Sequence, residues 1–247
     1  MLINTKKFVS KMFVFALLLV LALVLIACDG GSKTLDLNGA KDIYTKTVAA
    51  YVDGTSVDVK FSYSDNKGNQ TIVFKYNLEG TKIKDLAYVV NNLNGELSIY
   101  VKDGVAYMNA YGTKSTSTMT DSDYATFMEK YTFKSAMEEV NSLFGYTFYT
   151  GASVKNAYDG KIELDCDLSK LSADPALDDD KLFEMEENLE KLKEKKALTV
   201  EYTYGDYITK LVGVVTEQDD STKTFTVEFN ANSSVTIDFP SFESYKD

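Results

Sequence analysis

The stretch LSIYVKDGVAYMNAYG, residues 97–112, decides the fold because two alternating runs meet at Asp103 and Gly104. Asp-Gly is the dipeptide that a two-residue type I′ hairpin prefers, so the turn predicts both the strand pair and its register. The opposed pairs are then Lys102–Val105, Val101–Ala106, Tyr100–Tyr107, Ile99–Met108, Ser98–Asn109 and Leu97–Ala110. One face is apolar, and we expect the other, with tyrosine, lysine, serine and asparagine, to lie in water.

The same alternation recurs along most of the chain. Further runs lie at residues 57–61, 72–76, 86–90, 200–204, 208–215, 225–229 and 235–239. Short connections rich in Asp, Asn and Gly separate most of them, which predicts antiparallel neighbours. With prolines only at 175 and 240, few strands are excluded from the interior of a sheet. The sequence therefore predicts a large antiparallel sheet with one apolar face.

Three stretches with helical periodicity interrupt the strands. The first follows Asn38, a suitable cap, and carries an apolar stripe to residue 52. The second spans residues 121–144 and contains Phe127, Met128 and Val140, with Thr132 as a cap between two shorter helices. The third spans residues 178–196. The fold class is thus α+β, but the residues leave open whether the helices pack tightly on the sheet or stand off it around a hollow.

Composition excludes several functional classes. The chain has no histidine, so a Ser-His-Asp triad, a Cys-His pair and the commonest zinc ligands are absent from its sequence. Cys166 follows the alternation of Ile162 and Leu164 and is expected to be a packing residue rather than a nucleophile. Asp165 and Asp167 are expected to face solvent rather than to perform acid-base catalysis. We therefore expect no enzyme and no cofactor.

The acidic residues 174 and 178–180 do not have the spacing of an EF-hand, and helix capping explains the last three. We expect no metal site there.

The first 28 residues have the pattern of an export signal. Lys6, Lys7 and Lys11 precede an unbroken apolar run at 12–27, which is shorter than the roughly 20 residues of a membrane-spanning helix. The run ends at Leu25-Ile26-Ala27-Cys28, which resembles the lipobox of bacterial lipoproteins. The resemblance implies removal of residues 1–27, acylation of Cys28, and a position on the outer face of the cell membrane. An ordinary signal peptide and an uncleaved anchor helix are the alternatives.

Removal of residues 1–27 would take away three lysines and no acid, which leaves 23 lysines against 37 acids and a formal charge of −14. Such an acidic chain argues against nucleic acid as a partner. Residues 29–36 are polar and flexible in composition, and residues 28–37 are expected to form a tether. We expect residues 38–247 to form one domain.

The order of anchor, tether, helix, meandering strands and further helices resembles the lipid-carrying lipoproteins and carriers typified by LolA, LppX and LprG, and more loosely small lipoproteins of low-GC bacteria. That resemblance implies a large curved antiparallel sheet, an incomplete β-barrel, with amphipathic helices on its concave face. It also implies a cavity for a lipid or another hydrophobic ligand. The candidate lining residues are Phe61, Ile72, Phe74, Tyr88, Ile99, Val101, Met108, Phe127, Met128 and Val140. The alternative is that these positions are filled core.

Two functions follow as expectations. The first is a membrane-anchored lipoprotein that binds or carries a lipid or other hydrophobic ligand. The second is a cell-surface structural or interaction lipoprotein that binds another protein through tyrosines such as Tyr100, Tyr107 and Tyr111.

Overall fold

A computed structural model describes residues 34–80, 82–130, 147–230 and 235–245 of the chain. The predictions for the signal segment, for Cys28, for Val140 and for a cap at Thr132 lie outside these residues.

The described strands form one open antiparallel sheet with the order β6-β5-β4-β3-β2-β1-β11-β10-β9-β8-β7. The sheet thus consists of two meanders, β1–β6 and β7–β11, which meet where β1 pairs with β11. The strands are β1 (Ser56–Asp65), β2 (Gly68–Glu79), β3 (Lys82–Asn92), β4 (Gly95–Lys102), β5 (Val105–Ala110), β6 (Thr113–Thr118), β7 (Ala152–Tyr158), β8 (Lys161–Cys166), β9 (Ala197–Tyr204), β10 (Ile208–Thr216) and β11 (Thr222–Phe229). The predicted α+β class with a large, unclosed antiparallel sheet is confirmed.

The described helices are α1 (Leu37–Val52), α2 (Asp121–Lys130), α3 (Thr147–Gly151) and α4 (Asp179–Lys193), with a 3₁₀ turn at Leu168–Lys170. Helix α1 starts earlier than predicted. Its cap is Asp36, whose side chain accepts a hydrogen bond from Gly39 N, and not Asn38. The five-residue helix α3 was not predicted, because its sequence TFYTG has no helical stripe long enough to recognise.

The central hairpin has the predicted register. All six pairs from Leu97–Ala110 to Lys102–Val105 are present. Both turn residues have positive φ, 50° at Asp103 and 77° at Gly104, which is the geometry of a type I′ turn. The turn residues and the alternation were therefore sufficient to fix this part of the sheet.

Helix α1 lies across the strand ends on the apolar face. Its Thr47 Oγ1 accepts a hydrogen bond of 2.9 Å from the backbone N–H of Ile208, at the start of β10. The ring of Tyr51 lies 5.3 Å from that of Phe229, at the end of β11. These contacts bring the helix into the same buried cluster as the apolar side chains of the sheet.

The opposite face of the hairpin is not exposed to water as expected. Tyr100 is only 8% exposed, and Ser98 and Asn109 are also buried. Residues 235–245, which we call the C-terminal strap, cover this face. The strap has no regular secondary structure, so the predicted strand at 235–239 is wrong. The alternation there was misleading because Phe239 contacts the sheet from outside, at 6.3 Å from the ring of Tyr100.

Candidate functional site

The candidate cavity residues of the sheet lie together on one face. Directly opposed residues of an antiparallel sheet share a face. One row across the strands is Val59, Phe74, Tyr88, Ile99, Met108 and Ser115, and the next is Phe61, Ile72, Val90, Leu97 and Ala110. Val101 belongs to a third row, opposite Leu86 and Ala106. The structure therefore brings together all the sheet positions that the sequence singled out.

Burial differs between the three rows. In the first row the exposed fraction rises from 0% at Val59 to 7% at Ile99, and Met108 is half-buried. In the second row Ile72 and Leu97 are half-buried, and Ala110 is exposed. Val101, by contrast, is fully enclosed. The apolar face is thus mostly filled core, as at Val90 on β3 and Ala106 on β5, with half-buried side chains at Ile72, Leu97 and Met108.

Aromatic rings lie within the buried part of this face. The rings of Phe61 and Phe74 lie 5.8 Å apart, and those of Phe74 and Tyr88 lie 5.0 Å apart, both edge to face. Such pairs add about 0.5–1.5 kcal/mol beyond the area they bury. These rings therefore stabilise the buried part of the face.

Helix α2 lies against the same region. Phe127 and Met128 are half-buried and pack against the core. Lys82 at the start of β3 pairs with Asp121 in the first turn of the helix, and its Nζ lies 5.4 Å from the ring centre of Tyr124. Hydrogen bonding to Asp121 raises the pKa of Lys82. These contacts fix α2 beside the start of β3.

Cys166 and Asp167, which were considered for catalysis, have contacts typical of residues that stabilise the fold. Burial, with a smaller contribution from the charge of Asp167, raises the pKa of Cys166 to about 12, which suits a packing residue. Asp167 accepts hydrogen bonds from the backbone and hydroxyl of Ser169 and pairs with Lys170 at 3.0 Å. Hydrogen bonds from Ser169 and then Lys170 lower the pKa of Asp167, the direction opposite to that of a general acid.

The acidic residues at the N-terminus of α4 stabilise the start of the helix. Asp179 and Asp180 are in its first turn, where the helix dipole favours anions, and Asp178 O accepts a hydrogen bond from Leu182 N. Within the described parts of the chain, no group of three or more Cys, Asp or Glu side chains is arranged to hold a metal ion.

The C-terminal strap is the feature that sequence reasoning missed. It is tied at one end to β2, where Asn77 Nδ2 donates to Val235 O at 2.8 Å. At the other end Phe242 stacks on Tyr107 with ring centres 3.7 Å apart. A signal for it was present, since Phe239, Phe242 and Tyr245 recur every three residues rather than every two. Tyr100 and Tyr107, proposed as a surface for a protein partner, are occupied by this strap.

Comparison with known proteins gives limited information. No protein-family model matches the chain, and no curated protein matches it by sequence. Among solved structures, the chain is similar to the crystal structure of LprF from Mycobacterium bovis, at 12% sequence identity and a TM-score of 0.37. The alignment covers 80% of this chain and 95% of LprF. Among the described helices, none combines the length and the apolar character needed to cross a membrane.

Proposed function

We propose that this protein is a membrane-anchored, extracytoplasmic lipoprotein that binds or carries a lipid or another hydrophobic ligand on the apolar face of its sheet. The observation that carries the proposal is the group of half-buried apolar side chains at Ile72, Leu97 and Met108 on an otherwise buried face. Phe127 and Met128 of α2 are half-buried as well and pack against the same buried cluster. Apolar surface that is shaped and incompletely enclosed is typical of sites for hydrophobic ligands.

The anchor is the second part of the proposal. The lipobox residues ending at Cys28 support acylation and retention at the outer face of the cell membrane. Two or three acyl chains hold a protein at a bilayer durably, because each buried methylene contributes about 0.8 kcal/mol. No enzymatic step is part of the proposal.

A pair of tryptophan substitutions tests the ligand site. Met108→Trp adds volume where the apolar face is half-buried, so we expect weaker binding of a fluorescent fatty acid at a small cost in stability. Val101→Trp adds the same side chain where the face is fully enclosed, and we expect it to lower the free energy of unfolding by about 1–3 kcal/mol or more. Binding is measured by titration and stability by denaturant unfolding.

Two results would contradict the ligand site. One is a wild-type protein that neither binds the fatty acid nor carries a co-purified lipid detectable by native mass spectrometry. The other is a loss of stability in Met108→Trp as large as in Val101→Trp, which would mean that the face is packed at interior density throughout.

A further inference from the structure

The described chain begins beside a group of tyrosines. Helix α1, which begins three residues after Thr34, contacts β7 and β10, and Tyr158 ends β7. Six residue steps separate Thr34 from Cys28. A fully extended chain covers about 3.3–3.6 Å per residue, so Cys28 is held within about 20 Å of Thr34. Acyl groups on Cys28 would therefore keep this end of the molecule close to the membrane.

Two neighbouring turns carry the tyrosines at this end. The hydroxyl of Tyr204 lies 3.3 Å from Tyr158 O and donates to it, and Tyr204 N donates to Gly160 O at 2.9 Å. In the next turn Gly205 N donates to Tyr207 O at 3.0 Å. Tyr158 is 58% exposed, and Tyr204 and Tyr207 are half-buried. We call Tyr158, Tyr204 and Tyr207 the tyrosine rim.

The surroundings of the tyrosine rim suit a boundary between water and lipid. Lys46 of α1 lies with its Nζ 4.6 Å from the ring centre of Tyr207, and Lys161 pairs with Glu201 at 2.9 Å. Three acidic residues, Asp159, Asp206 and Glu201, accompany these two lysines, so the acids exceed the lysines here by one. The chain as a whole is much more strongly acidic. Tyrosine has an apolar ring with a polar tip, and lysine stems keep their charge in water, so both are favoured at the headgroup level of a bilayer.

We propose that the tyrosine rim lies against the headgroup layer of the membrane that holds the acyl groups of Cys28. This surface rests on the proposed acylation but goes beyond it, because an anchor alone does not orient the domain. The partner is a phospholipid bilayer surface. The turns at 159–160 and 205–207 then face the membrane, and the opposite strand ends, including the β5–β6 turn at Tyr111, point away from it.

The absence of tryptophan from the chain makes this orientation measurable. In the full-length acylated protein, Tyr158→Trp places one fluorescent reporter on the tyrosine rim. Tyr111→Trp places the matched reporter in a turn at the other strand ends, where Tyr111 is also exposed. Both are reconstituted into vesicles of phosphatidylglycerol and phosphatidylcholine with brominated acyl chains, and the emission is compared with that in unbrominated vesicles.

We expect Tyr158→Trp to lose about half of its emission and to shift to shorter wavelength, because interfacial groups lie about 5–10 Å into the headgroup and acyl boundary. Tyr111→Trp should keep its emission, since strands of 6 to 10 residues span about 20–33 Å. Protein that floats with the vesicles while both reporters are quenched equally, or neither is quenched, would overturn the orientation alone. Protein that does not float would overturn the anchor together with the orientation.

Discussion

Gly213 lies opposite Phe225 in the β10–β11 pair, and the ring of Phe225 occupies the space above the glycine. A β-carbon at Gly213 would lie 1.9 Å from the tip of that ring. Phe225 is almost fully buried, so the ring has little room to move. A single hydrogen side chain therefore allows an aromatic ring to lie flat across the sheet. The alternation of β10 does not reveal this contact, because a glycine within a strand gives no indication of which side chain lies over it.

Gly213→Ala should lower the free energy of unfolding by about 1–3 kcal/mol, because the methyl group displaces the buried ring of Phe225. Thermal or denaturant unfolding measures the change. Gly205→Ala is the matched control, since nothing lies within 4 Å of its added carbon. Equal stability of the two variants would contradict the packing of Phe225 on Gly213.

Glu217 receives two lysines, Lys223 by a hydrogen bond and Lys195 at 3.0 Å. The hydrogen bond from Lys223 is the largest cause of its lowered pKa, and Lys195 adds to it. Since the folded pKa lies below the usual 4.5, the contribution of Glu217 to stability is fully present above about pH 4.5 and is lost as the pH falls through the folded pKa.

We expect Glu217→Gln to cost about 0.5–1 kcal/mol at pH 7 and to reduce the dependence of stability on pH below 4.5. Unfolding of wild type and variant between pH 7 and pH 3 measures this. The exposed Glu243→Gln serves as control. If Glu217→Gln kept the wild-type pH dependence, the lysine pair would not be what stabilises the carboxylate.

Among the elements, the C-terminal strap shows most clearly that a local sequence pattern can predict the wrong structure. The apolar residues of 235–239 alternate as in a strand, but among the described residues they pair with no strand. The strap instead uses aromatic rings and two lysines, with Lys102 Nζ 5.2 Å from the ring centre of Phe239 and Lys114 Nζ 5.0 Å from that of Tyr245. Such contacts depend on what the fold places beneath the segment, which no pattern within the segment contains.

Removal of the stacked ring should release the strap. In Phe242→Ala we expect a loss of about 1–3 kcal/mol and faster hydrogen exchange in 235–245, because Phe242 contacts Tyr100, Tyr107, Phe239 and Tyr245. Phe183→Ala, at a position 72% exposed on α4, is the control and should change little. Unchanged exchange in the strap of Phe242→Ala would show that other contacts hold it.

For the whole molecule, the sequence predicted the α+β class, the antiparallel sheet and the register of the central hairpin, because turn chemistry and period-two alternation are local. It did not predict that Ser98 and Tyr100 are buried, because their cover comes from a segment more than 130 residues away. It also placed the sheet residues of the candidate site on one face, yet could not rank their burial. Whether Met108 or Val101 is enclosed depends on how many strands and helices surround each.

The proposed anchor belongs to the molecule as a whole, since acylation of Cys28 would decide where the domain functions. Cys28→Ala should prevent incorporation of a labelled fatty acid and leave residues 1–27 attached. The reason is that the lipobox interpretation makes the Cys28 thiol the group that is acylated. Metabolic labelling and mass spectrometry of the product measure both effects. Cys166→Ala is the control and should be labelled as strongly as the wild type. Equal labelling of Cys28→Ala would contradict the lipoprotein assignment.

The pairing of β1 with β11 also governs the order in which the sheet can form. Neighbouring strands within each meander are joined by short hairpins, which are fast, except for β8 and β9, whose connection contains α4. Val59 and Phe229, by contrast, are 170 positions apart in the chain. During synthesis from the N-terminus, β1 therefore has one unpaired edge until residues 222–229 have been made. An exposed strand edge is a template for pairing with other chains. The two meanders can join only after residues 222–229 have been made. The time before that point is therefore when the chain is most vulnerable to aggregation.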